Sequence, residues 1–347
     1  MTARTEVAGS SPVAPRSGRN GSRRRQQAAP ALRHATTWGP LAVLAVLIVL
    51  FSLASGTFLT VDNFKTLADQ SAVALVLATG MTFIVVQGSI DLSLEGTMSL
   101  CSIVVALLVA NNINGNDLGW LGVAVGVAVG VAFGLANGLL YTYLRLPSLM
   151  VTLGTWFIGL GLASMLFPGR QPKIAAADFR SLALSESLGV TRLFFVALAC
   201  VAVGYAIQRW TRLGRYSFAI GGGEEIAALS GIPVRRYKIL AFTFAGLMIG
   251  IAAMLATARG GFGDAAAGNG YLFPTIAAVV IGGTLLSGGR GGVLHSAVGV
   301  LILTVLDNGM ILVGVDPYIQ SAVQGALIVA AVVGSTWVLR SRMRVVK

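Results

Sequence analysis

Ten apolar runs fill almost everything between Thr37 and Arg340: 39–57, 70–87, 94–111, 119–143, 148–167, 192–210, 239–258, 271–286, 292–313 and 318–339. A helix needs about 17–25 apolar residues to cross the hydrocarbon core. Nearly all of the runs reach that length, several only just, and 271–286 falls short of it. Only 11% of the residues are charged, against about 25% in an ordinary soluble domain. Such a chain cannot cover a soluble surface. The expected fold class is an all-α membrane protein, a polytopic bundle of about ten transmembrane helices. The 44 glycines suit helices whose backbones approach closely in lipid.

The basic residues set a direction. With the N-terminus inside, 19 of the 25 Lys and Arg fall on the cytosolic side: in 1–38, at Arg145, in 209–238, at Arg290 and in 340–347. Lys65, Arg170, Lys173, Arg180, Arg192 and Arg259 fall outside. This is the positive-inside pattern, and it reads the net charge of +12 as topology rather than nucleic-acid binding. Residues 1–37 are rich in Ser, Arg, Gly and Pro and are expected to be a disordered cytosolic tail. Residues 38–339 form the membrane domain, and 340–347 a basic cytosolic tail. The Arg-rich segment before Leu41–Leu53 imitates a signal peptide but has no convincing cleavage site, so an uncleaved first span is expected. The expected localisation is the inner (plasma) membrane, multi-pass.

One polar break stands out inside the membrane domain, the loop 211–238. Within it, Gly221–Gly223 stop the preceding element, Glu224 and Glu225 stand where a helix N-terminus favours negative charge, and Gly231-Ile232-Pro233 ends a short helix. A short cytosolic helix between two spans is expected here, a docking element for another protein.

Other polar residues lie at membrane depth. In Gly80–Gly96, Asp91 and Glu95 are four residues apart between apolar runs. Carboxylates there face a cavity or a partner. Two structures fit: a cytosolic turn in which Asp91 caps the third span, or a broken helix whose free backbone groups line a path. On the second reading Gln87, Asp91, Ser93 and Glu95 border a translocation pathway or gate. Asn137, Thr152, Thr155, Asp307 and Asn308 lie within spans and are read as pathway residues or as interhelical hydrogen-bond partners. Gly88-x-x-x-Leu92-Ser93 repeats as Gly282-x-x-x-Leu286-Ser287, a short hint of an internal repeat.

Several chemistries lack their residues. The dipeptide Gly-Lys never occurs, so there is no Walker A loop; H-E-x-x-H and G-x-S-x-G are also missing. His34 and His295 have no ligand-spaced partners, and Cys101 and Cys200 sit in apolar runs and pack. No catalytic residue, metal site or cofactor is expected.

Taken together, particular stretches resemble the permease subunits of ATP-binding-cassette importers, in the ribose, xylose and galactose branch. They are Gly80-Met81-Thr82 through Gly88-Ser89-Ile90-Asp91-Leu92-Ser93, Leu146-Pro147-Ser148 through Thr155, Gly214-Arg215-Tyr216 through Gly231-Ile232, Ala277 through Gly291, and Asp307-Asn308-Gly309 through Val315. The resemblance runs from about Asn63 to Ala330. It implies that Glu224, Glu225, Ile226, Ala227 and Gly231 dock into a cleft of a separate ATPase subunit. Ile226 replaces the family's first alanine there, and Leu94-Glu95 replaces a Val-Gly pair and adds a carboxylate. It also implies a soluble binding protein that delivers a monosaccharide, a second permease copy as homodimer or heterodimer, and a lipid surround. No enzyme activity is expected of this chain. The competing expectation is an ion-coupled secondary transporter of a small polar solute, working through Asp91, Glu95 or Asp307.

Overall fold

The apolar runs become helices because nothing else satisfies a backbone in lipid. The computed structural model describes residues 38–340, with backbone alone at 331–332 and 334–340. The tails expected at 1–37 and 340–347 lie outside the described residues, apart from Arg340. Of the described residues, Trp38 and Gly39 fall in one unit and Pro40 onward in a second.

In chain order the helices are α1 (Trp38–Ala54), α2 (Val61–Val86), α3 (Leu94–Leu108), α4 (Gly119–Tyr143), α5 (Ser148–Leu166), α6 (Ala177–Leu184), α7 (Arg192–Trp210), α8 (Arg212–Gly222), α9 (Glu224–Leu229), α10 (Val234–Gly260), α11 (Leu272–Ile281), α12 (Val293–Leu312) and α13 (Pro317–Arg340). A two-stranded hairpin, β1 (Glu186–Ser187) and β2 (Val190–Thr191), follows α6. Among the described residues six helices are long and apolar enough to cross a membrane: α2, α4, α5, α7, α10 and α12. The chain is a polytopic helical membrane protein, with a short extra helix, α9, where the polar break stands.

One expected span is not a simple helix. Over 271–286 only the ten residues of α11 are helical, about 15 Å of a hydrocarbon core of about 30 Å. The segment before α11, 262–271, is non-helical as well. It starts beside residues 172–174, where the carbonyl of Pro172 accepts from the amide of Gly263 and the carbonyl of Gly261 from that of Ile174. It ends at α11. The segment 87–93 before α3 is likewise non-helical.

These two breaks occupy matching places. α2 and α10 run antiparallel, with Gly80 against Ala245 and Met248, and Gln87 bonded to the Tyr237 carbonyl. Each ends on a glycine with left-handed backbone, Gly88 (φ 74°) and Gly261 (φ 75°), a conformation that L side chains rarely adopt. Each leads through a break into a shortened helix. α3 packs on α4 and α5, as α11 packs on α12 and α13. The two halves therefore repeat one order of elements in opposite directions, an arrangement found in transporters. The Gly88/Gly282 sequence match marks something smaller. Ser89 donates to the Ile84 carbonyl and Thr284 to that of Val279, so the shared feature is a helix-terminating turn with Gly88 opposite Gly283, one residue from the sequence register.

Glycines draw the central pair together. Gly130, Gly134 and Gly138 of α4 face Phe242, Gly246, Gly250 and Ile239 of α10, and a Cβ at any of the three would press into the facing helix. The same four-residue spacing continues at Gly122 and Gly126, which meet Leu108 and Val105 of α3. On the face opposite residues 209–238, the segment 168–191 closes the bundle, with Phe179 of α6 buried and Lys65 paired to Glu186 at 3.7 Å.

Gly246→Val is expected to lower the unfolding midpoint in detergent, because overpacking of this kind costs about 1–3 kcal/mol. Gly154→Ala, with nothing within 4 Å of the added Cβ, is expected to stay within about 0.5 kcal/mol of the parent. Equal effects of the two substitutions would refute the close-contact account.

Candidate functional site

The polar residues around the first break form a single network. After α2 ends, 88–93 runs extended beside the first turns of α5. The Ile90 amide donates to Ser148 Oγ (3.3 Å) and the Leu92 amide to Thr152 Oγ1 (3.0 Å). Asp91 turns back on its own chain, where its Oδ1 accepts from the Ser93 amide (2.8 Å) and the Ser93 hydroxyl (2.6 Å). Asn137 Nδ2 donates to Ser93 Oγ (2.8 Å), and the Thr155 hydroxyl donates to Asn137 Oδ1 (2.7 Å). The line Asp91–Ser93–Asn137–Thr155 thus joins the break to α4 and α5. All four residues are buried, as are Gln87, Glu95 and Thr152. Asp91 closes a local turn on Ser93 but does not cap the third span, whose N-cap is Ser93 without a side-chain cap bond.

Glu95 serves the second break. It begins a polar stripe on α3 with Ser99 and Ser102, at i, i+4 and i+7, one face of the helix. Glu95 Oε1 accepts from the amides of Gly270 (3.1 Å) and Leu272 (3.2 Å), Ser99 Oγ from that of Gly268 (3.1 Å), and Ser102 Oγ from that of Asp264 (3.2 Å). The stripe supplies acceptors along the non-helical segment 262–271, and its carboxylate lies at the N-terminus of α11, where the helix dipole favours negative charge. The added carboxylate noticed in the sequence therefore has a structural partner. The spacing of Ser99 and Ser102 from Glu95 on an apolar helix was a usable signal for it.

Asp307 and Asn308 stand apart from this network. Asp307 Oδ1 accepts from Gln324 Nε2 of α13 (2.7 Å), and Asn308 is buried with its Oδ1 unpartnered. Asp307 is a helix–helix partner in this structure.

The docking element sits on a small apolar base. Ala227 of α9 is buried with Ile220 and Tyr237. Gly231 closes the helix, with its amide bonded to the Ala228 carbonyl (3.0 Å) and that of Ile232 to Ala227 (3.1 Å). Glu225 is exposed, and Ile226 and Leu229 are 71% and 89% exposed. Glu224 pairs with Lys238 Nζ at 2.6 Å, with 55% of its side chain still exposed. So the five expected docking residues divide: Glu225 and Ile226 face out, while Ala227, Gly231 and Glu224 hold the helix in place. Leu229 is an outward residue that the sequence reading missed. The end of α8, which leads into α9, packs against the end of α2 and the loop after α11. Gly221 and Gly288 leave no room for a side chain against the end of α2, and the Gly289 amide donates to the Val86 carbonyl (2.9 Å).

Glu95→Ala removes the acceptor of the buried Leu272 amide, worth about 1–3 kcal/mol when left unpaired, and of the part-buried Gly270 amide, whereas Glu95→Gln keeps a carbonyl oxygen. The alanine variant is expected to lose amide protection over 268–274 in hydrogen exchange and the glutamine variant to retain most of it. Unchanged protection in the alanine variant would remove Glu95 from this role.

Comparison with known proteins agrees with this architecture. The family described as branched-chain amino acid transport system / permease component matches residues 63–332. The chain is 37% identical over 305 residues to the probable ABC transporter permease protein YphD of Escherichia coli K12, covering 87% of this chain and 90% of that one. It is 34% identical over 296 residues to the L-arabinose transport system permease protein AraH of the same strain, covering 85% and 89%. It is likewise 34% identical over 296 residues to the ribose import permease protein RbsC of Bacillus subtilis 168, covering 85% and 91%. None of these three is described as an ion-coupled secondary transporter, and that expectation gains no support. No solved structure matches the chain significantly. With its broken crossings, its short outward-facing α9 and a family match over most of its length, the chain belongs to the permease components of ABC transporters, related to those of ribose and arabinose import systems.

Proposed function

We propose that this chain is the membrane half of an importer that carries a monosaccharide, handed over by a soluble binding protein outside and driven by a separate ATPase subunit inside. The observation that carries this reading is α9. It is a six-residue helix with Ala227 buried beneath it and Glu225, Ile226 and Leu229 turned away from the bundle. Such a helix has apolar surface that its own chain leaves uncovered, and it lies among basic residues that retention on the cytosolic side favours. Both termini are then cytosolic, as the positive-inside count requires. A second permease copy completes the pathway.

The chemistry of the breaks suits an uncharged solute. Half-helix N-termini in transporters commonly meet a substrate's anionic group. Here Glu95 already occupies the start of α11, and Asp91 lies just before α3. A substrate carboxylate would meet carboxylates at both places, and a neutral polyol would not. The relatives named for ribose and arabinose import support the same substrate class. Gln87, Asp91, Ser93, Glu95, Asn137 and Thr152 then form the hinge of a gate on the cytosolic half of the pathway, and Asp307 and Asn308 border its outer half.

Glu225→Lys and Gly231→Pro are each expected to abolish retention of the co-expressed ATPase subunit on affinity purification while membrane insertion persists. Undiminished retention in both variants would refute docking through α9. Uptake is measured in cells with a panel of 14C-labelled pentoses and hexoses, alongside leucine; transport of leucine alone would refute the sugar assignment.

Asp91→Asn keeps an oxygen for the Ser93 amide and removes the charge. As a gate residue it is expected to lose at least fivefold in uptake at unchanged expression. Parental uptake would leave Asp91 as a turn-former only.

A further inference from the structure

Among the described residues Lys238 is the buried cation. It lies in the first turns of α10 with 7% of its side chain exposed. Its Nζ donates to Glu224 Oε2 of α9 (2.6 Å) and to the Tyr141 hydroxyl of α4 (2.8 Å), and sits 4.6 Å from the Tyr141 ring centre. The Ser89 hydroxyl, at the start of the first break, donates to the same Tyr141 oxygen (3.1 Å). Next to Lys238, the Tyr237 carbonyl accepts from Gln87 Nε2 (3.1 Å), which also donates to Ser217 Oγ of α8 (2.8 Å). Two short paths therefore join α9 and its preceding helix to residues 87–89.

We propose that Lys238 and Tyr141 are positioning residues that make α9 and the break at 87–93 move as one body, so that displacement of α9 shifts the break against α5. The deduction rests on the docking role of α9 proposed above. Its physical basis is the cost of separation. Pulling the half-exposed Glu224 away from Lys238 would leave a buried ammonium without the carboxylate that pairs with it, an unfavourable change. Moving the two together leaves the pair intact. What gives way instead is the far side of the break, where backbone amides of Ile90 and Leu92 are held only by the hydroxyls of Ser148 and Thr152 at 3.3 and 3.0 Å. Those neutral bonds are weaker than a charge-assisted one, and they are the seam along which the break can part from α5. The Gly221–Val86–Gly289 contacts lie beside this linkage and keep α8 in register with the end of α2.

Tyr141→Phe cuts the path to Ser89 and leaves the ring under the ammonium. In the purified complex this variant is expected to keep its ATPase subunit and its ATP hydrolysis within twofold, yet to lose at least tenfold in uptake of whichever labelled sugar the parent carries. Uptake and hydrolysis both within twofold of the parent would overturn the proposal. Lys238→Met is expected to uncouple as strongly, and adding Tyr141→Phe to it to make matters no worse. The exchange Glu224→Lys with Lys238→Glu is expected to recover uptake to within threefold, a rescue that mere loss of packing would not give. If Lys238→Met fails to insert, Tyr141→Phe still decides.

A second measurement does not depend on the partner. In the purified permease alone, Glu224→Gln is expected to speed amide exchange over 89–93 at least fivefold, although Glu224 touches none of those residues. Parental exchange rates there would refute the linkage even if α9 docks. A parent that neither retains an ATPase nor carries a sugar, but shows this exchange response, would refute the transport reading and keep the linkage.

Discussion

A backbone inside a membrane has no water to bond with, and the structure is arranged around the two places where this chain leaves the helix regardless. At 262–271 the missing helical bonds are replaced by a stripe on α3, in which Glu95, Ser99 and Ser102 accept four amides. At 88–93 they are replaced by Ser148 and Thr152 of α5 and by Asp91 of the break itself. Each unsatisfied amide would cost several kcal/mol in hydrocarbon. The side chains of α3 and α5 therefore fix where the breaks can lie, and the breaks fix the depth at which α3 and α11 begin.

That requirement explains the packing around them. The acceptors reach the breaks only if α3, α4, α5 and α10 lie close together, and the glycine faces of α4 and α10 bring their backbones into contact. Small residues do in lipid what apolar burial does in water, since lipid tails give helices no hydrophobic reason to associate. The polar groups then supply direction rather than bulk stability: Asn137 accepts from Thr155 and donates to Ser93, a geometry that only one register of α4 against α5 satisfies.

The two sides of the break at 88–93 are held differently. One side is held by neutral hydroxyls of α5. The other is held, through Tyr141, by the Lys238–Glu224 pair and, through Gly221 and Gly289, by close backbone contact. A force delivered at α9 meets stiffness on its own side and compliance on the other. This is the asymmetry that a gate needs if it is to be worked by another subunit.

The sequence alone determined the solvent of this protein and the place of the short helix α9. Those properties depend on local composition: charge scarcity, and glycine and glutamate punctuation between 221 and 231. It also marked Asp91 and Glu95 as costly residues needing a partner. It did not show that the run at 271–286 is only partly helix, because that run is apolar throughout and hydropathy does not register a missing hydrogen bond. Nor did it show Lys238 reaching Tyr141, 97 residues away, or Glu95 reaching Leu272, 177 residues away. Those contacts join segments distant in sequence through the antiparallel meeting of the two halves, and only the tertiary structure, by deciding which helices touch, could give a buried charge its counter-ion and a bare amide its acceptor.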